Sequence, residues 1–113
     1  MRARARRAPG VMNKTEAAYA AYLDTLKAAG EIRTWEYEYV RLLLAANTSY
    51  TPDFMVILAN DLIEFHEVKG WWEDDARVKI KVAAERHKWA KFVAVTPRAK
   101  KDGGGWEREE FKP

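Results

Sequence analysis

At 113 residues, 48% hydrophobic and 33% charged, the chain has room for one globular domain with a single core and not for two. The absence of cysteine excludes a disulfide framework and any thiolate metal site, no apolar run reaches the length of a membrane span, and the arginines at the start are not followed by the apolar segment of a secretory signal; the expectation is a cytoplasmic protein with no membrane partner. The net charge of +3 conceals a segregation: residues 31–75 carry 3 Lys/Arg against 10 Asp/Glu, a net of −7, whereas residues 77–101 carry 9 Lys/Arg against one Glu, a net of +8.

Residues 1–12 read as a flexible basic arm, with Arg2, Arg4, Arg6 and Arg7 placed to grip phosphates without sequence preference. A plain mobile start, with Met12 as an alternative initiator, is the other reading. The single domain then occupies residues 13–113. Its first helix should begin with Asn13 as N-cap and end at Gly30, burying Tyr19, Tyr22, Leu23 and Leu26. Glu16 falls at the capping-box position, three residues after Asn13.

Trp35, Tyr37 and Tyr39 alternate with Glu36 and Glu38, the period of a strand with one wet face. Asn47-Thr48-Ser49 reads as a turn, and Thr51-Pro52 opens the next strand. The stretch YTPDFMVILANDLIEFHEVKG, residues 50–70, is then a hairpin with Asp53 near its beginning and Glu67 and Lys69 near its end. A three-residue loop, Ala59-Asn60-Asp61, sets Asp53 opposite Glu67 on one face. A two-residue loop sets Asp53 opposite Val68 and sends Glu67 to the other face. Convergence of the two acids therefore demands the odd loop or a bulge.

After Trp71 and Trp72 a second helix is expected, capped by Asp74 or Asp75 and running to about Lys88. Ala76, Ile80, Ala83, Ala84 and His87 lie on one side of it, and Arg77, Lys81 and Lys88 form a separate stripe. The run KFVAV, residues 91–95, should join the sheet in parallel, since a helix between two strands makes a crossover. Trp106 to Phe111 offers an edge strand. The order is αβββαβ: an α/β fold whose central mixed sheet is flanked by helices. His66 and His87 read as packing residues.

Two carboxylates and an ammonium at one end of a sheet suit phosphodiester hydrolysis. A carboxylate-held Mg²⁺ offsets the anion's charge and acidifies the attacking water, and a lysine orients that water. An exposed cross-strand salt-bridge cluster is the bland alternative. The residues Pro52-Asp53, then Glu67-Val68-Lys69, in the order helix, hairpin, helix, strand, resemble the PD-(D/E)XK nuclease superfamily and its restriction-endonuclease-like fold, with a likeness to small phage nucleases and to junction-resolving enzymes of the endonuclease I type.

That resemblance implies Asp53, Glu67 and the Val68 carbonyl as metal ligands, Lys69 as the catalytic lysine, and Glu16 as a further acid on the helix; Glu16 as a simple cap stays equally open. It implies Mg²⁺, replaceable by Mn²⁺, and a DNA endonuclease that nicks duplex or cuts branched DNA such as a Holliday junction. Two symmetrical cuts by so small a domain imply a homodimer. Phosphate contacts would come from the arm and from Arg77, Lys79, Lys81 and Lys88, with Trp71 and Trp72 at the DNA surface. A non-catalytic nucleic-acid-binding module on the same scaffold is the competing reading, as is a nuclease subunit of a phage or transposition complex.

Overall fold

Asn13 and Gly30 bracket the first helix in the computed structural model, which describes residues 10–70 and 74–113. Helix α1, Lys14–Ala28, has a closed capping box: Asn13 Oδ1 accepts from the Glu16 amide, and Glu16 Oε1 accepts from the Asn13 amide at 2.9 Å. Gly30 follows the C-cap at φ +77°, a conformation glycine adopts without steric cost. Tyr19 and Leu23 are buried as expected and Leu26 packs beside them. Tyr22 is 39% exposed, because the buried face is narrower than the apolar stripe.

Strand β1, Ile32–Tyr37, stops earlier than the aromatic alternation implies. Glu38 takes a positive φ of 48° and turns the chain, leaving Tyr39 65% exposed and outside the strand. The next residues form a separate two-stranded ribbon, β2 (Leu42–Ala45) with β3 (Thr48–Tyr50). Its turn is Ala46-Asn47, with Asn47 at φ +58°, so Thr48 and Ser49 belong to a strand and not to the expected turn.

Strands β4 (Phe54–Leu58) and β5 (Ile63–Val68) make the central hairpin. The loop between them has three residues. The Asp61 amide bonds the Leu58 carbonyl at 2.9 Å, the Leu58 amide bonds the Leu62 carbonyl at 2.9 Å, and Asp61 sits at φ +70°. Phe54 therefore opposes His66, and Ile57 opposes Ile63. Helix α2, Asp74–Arg86, ends two residues short of Lys88 and leads to β6, Lys91–Pro97, which lies parallel to β5. A 3₁₀ turn, Lys100–Asp102, precedes β7, Trp106–Phe111, antiparallel to β6 at the edge. The five-stranded mixed sheet has the order β1-β4-β5-β6-β7.

One face of the sheet packs on α1 through Tyr19, Leu23, Phe54, Val56, Val68, Val93 and Val95. The other packs on α2 and the ribbon through Leu42, Leu44, Phe65, Ile80, Ala83, Ala84 and Phe92. This is a restriction-endonuclease-like α/β core. No described helix is long and apolar enough to cross a membrane.

His66 is structural. Its Nδ1 accepts from the Tyr19 hydroxyl at 2.7 Å, and its Nε2 faces Glu64 Oε1 at 2.8 Å, where Arg108 also reaches at 3.3 Å. Burial pushes the imidazole below its ordinary value against the opposing pull of Glu64, so near neutrality it is uncharged, with its proton on Nε2. Burial alone would raise Glu64, but the hydrogen bond from His66 and then the charge and hydrogen bond of Arg108 hold it below the usual carboxylate value. Replacing His66 by Ala strips Tyr19 of its acceptor and leaves the buried Glu64 to Arg108 alone. A loss of about 3 kcal/mol in urea unfolding is the expected result. His87 is structural too: its Nε2 meets the Leu43 carbonyl at 2.8 Å and ties α2 to the ribbon.

Candidate active site

The hairpin register decides the geometry. The ladder ends with Phe54 opposite His66, and Asp53 is the next residue, at a bend just before β4, near enough to Glu67 at the end of β5 for the two charges to act on each other. Asp53 is buried and its Oδ2 accepts the Val68 amide at 2.8 Å; its Oδ1 receives no hydrogen bond from any described residue. Glu67 is also buried. Its Oε1 accepts from the Tyr50 hydroxyl at 2.5 Å, and its Oε2 lies 3.2 Å from Lys69 Nζ. The Lys69 amide bonds the Val95 carbonyl at 2.9 Å, which anchors the lysine to β6 just beyond the end of β5.

Two carboxylates so close under cover repel. Burial and then the Glu67 charge push Asp53 up from 3.8 to about 8, against the hydrogen bond from Val68; the charge of Glu16 adds to the rise and Lys69 opposes it. Asp53 therefore keeps its proton near neutrality while Lys69 balances Glu67, and a divalent cation would take the place of that proton. The donors are hard oxygens, the kind magnesium prefers. Among the described residues no group of three or more His, Cys, Asp or Glu is gathered as a ligand cage. Asp53 and Glu67 are the carboxylates of this site that could take part in holding a cation.

Glu16 belongs first to its helix. Besides the Asn13 amide, its Oε1 accepts the Tyr37 hydroxyl at 2.9 Å. Of the residues expected to hold DNA, Arg77 is engaged within the protein: its guanidinium forks onto Glu109 at 3.1 and 2.6 Å and lies 5.2 Å from the centre of the Phe111 ring. Lys79, Lys81 and Lys88 are exposed. Arg2, Arg4, Arg6, Arg7, Trp71 and Trp72 lie outside the described residues. A cavity of about 450 Å³ between Leu58, Leu62, Trp89 and Phe111 is at the far end of the sheet. It is four residues along β5 from Glu67, about 13 Å, and takes no part in this site.

Tyr50 is the residue that the sequence reading missed. It ends a three-residue strand, and burial followed by the nearby Glu67 charge pushes its phenol well above the usual value, so it stays a hydrogen-bond donor. Its one local signal was its place three residues ahead of Asp53.

A restriction-endonuclease-like core with paired acids and a lysine at the ends of its central hairpin defines a nuclease-like class of scaffold. Over 57 residues the chain is 42% identical to Endonuclease I of Escherichia phage T7, a stretch that is half of this chain and 34% of that protein. The chain thus spans about a third of the length of the curated relative it matches. No family model matches the chain, and no solved structure matches it.

Proposed function

We propose that the chain is a Mg²⁺-dependent DNA endonuclease of PD-(D/E)XK type, nicking duplex DNA or cutting branched DNA such as a Holliday junction as a homodimer. The observation that supports this reading is the odd-length hairpin loop, which brings the charges of Asp53 and Glu67 within reach of each other, with Lys69 beside Glu67. Partial similarity to a phage Endonuclease I supports it. Asp53 and Glu67 would hold the ion, with the Val68 carbonyl and Glu16 as further oxygen donors. When bound, the ion polarises the scissile phosphate and acidifies a water. Lys69 orients that water and offsets the charge growing on the phosphoryl oxygens.

Incubation with supercoiled plasmid and with a four-way junction tests the reading. Cutting is expected with Mg²⁺ or Mn²⁺ and none with EDTA. Absence of cutting on both substrates with either metal, alongside gel-shift binding indifferent to chelator, would leave a binding module in its place. Phosphate contacts are assigned to Lys79 and Lys81. Replacing either by Ala should weaken binding evenly across sequences and lower the salt slope of log K by about 1.

A further inference from the structure

We infer that Tyr50 is the positioning residue of the metal site, through which the β2–β3 ribbon sets how tightly the protein holds its divalent ion; this rests on the reading under Proposed function. Glu67 is gripped at both oxygens. Tyr50 donates to Oε1 at 2.5 Å, and Lys69 stands 3.2 Å from Oε2. The two grips compete for the plane of the carboxylate. Without the phenol, Glu67 is free to turn both oxygens onto the Lys69 ammonium, which withdraws a ligand and folds the catalytic amine into an ion pair. With the phenol in place, each oxygen keeps a lone pair for the cation and Lys69 is held by one oxygen only.

The origin of Tyr50 gives the contact a further consequence. The ribbon shares no ladder with the five-stranded sheet. It rests on α2 by apolar packing of Leu42 and Leu44 and by the His87–Leu43 hydrogen bond. The ring of Tyr50 packs against that same apolar cluster, while its hydroxyl reaches across 17 positions of sequence to Glu67. The ribbon thus touches the ion's ligand through a side-chain hydrogen bond and not through a ladder. Hydrogen bonds behind a metal ligand typically change affinity by about ten- to a hundredfold when removed.

Tyr50→Phe keeps the ring in its packing and removes only the donor. Mn²⁺ binding without DNA, followed by paramagnetic resonance and by calorimetry, should weaken about tenfold in this variant. In cleavage, half-saturating Mg²⁺ should rise by a similar factor while the rate at saturating Mg²⁺ stays within about threefold of the parent. Parent-like circular dichroism and melting in EDTA separate this from misfolding, and a merely structural tyrosine would move the melting curve and not the metal titration. Unchanged Mn²⁺ affinity in Tyr50→Phe overturns the inference while leaving the metal site intact. A parent protein that binds no Mn²⁺ removes the metal reading itself, and the role of Tyr50 goes with it.

Discussion

Asp53→Asn is expected to abolish DNA cutting and, in EDTA, to melt at a higher temperature than the parent. The side chain is buried beside Glu67, and its carboxyl is pushed up from 3.8 to about 8 by burial and then by that neighbour. An acid whose folded-state value lies above its unfolded one holds its proton more tightly in the fold. Its penalty on stability is therefore absent below about pH 4, grows as pH rises, and is complete above about pH 8. Asparagine carries no proton to lose, and its amide oxygen can keep the bond from the Val68 amide. The difference should be smallest at pH 4 and largest above pH 8, on the order of 2 kcal/mol, or roughly 8 °C in melting temperature. Magnesium should close the gap by stabilising the parent alone. Melting curves from pH 4 to 9, with EDTA and with Mg²⁺, check both parts. A variant less stable than the parent at pH 8 in EDTA would mean that the acids are not held in mutual repulsion, and a cation would have no repulsion to relieve.

How much of this was legible in the chain depended on the range of the interactions concerned. The ends of α1 followed from Asn13, Glu16 and Gly30, residues whose preferences act within one helical turn. The convergence of Asp53 and Glu67 reduced to a parity question about one loop, and Asp61 at φ +70° settled it for the three-residue form. The parallel placement of β6 followed from the helix before it. The ribbon was not legible. Leu42, Leu43 and Leu44 form an apolar run too short to say which sheet it joins, and the turn-forming look of Asn47-Thr48-Ser49 hid a strand. The Tyr50–Glu67 contact and the chain from Tyr19 through His66 and Glu64 to Arg108 were hidden for a related reason. Apart from the His66–Glu64 step, two positions apart, they join residues 17 to 47 positions apart, and nothing local in the sequence encodes such a meeting.

Lys69→Met should separate the two functions of the cluster. Methionine keeps most of the aliphatic stem, so the packing beyond β5 and the bond from the position-69 amide to the Val95 carbonyl survive. What disappears is the ammonium 3.2 Å from Glu67 Oε2. In the ground state that charge competes with the cation for Glu67 and lowers the cost of ionising Asp53. Its removal leaves a more negative pocket, so affinity for Mn²⁺ should hold or rise, opposite in direction to Tyr50→Phe. Under the proposed reaction the ammonium would face charge that develops on the phosphoryl oxygens and the attacking water, and its removal would leave that charge unmet. The rate at saturating Mg²⁺ should fall by about a thousandfold, near 4 kcal/mol. Lys69→Arg should recover little of it, because a planar guanidinium presents its donors in a fixed fork and is held charged, whereas the site is shaped around a compact point charge. Single-turnover cleavage of a nicked or branched substrate, run beside a Mn²⁺ titration of the same preparation, reads both quantities. A Lys69→Met protein that cuts within tenfold of the parent would assign the lysine to charge balance alone and move the activation of water to the ion's own coordination sphere.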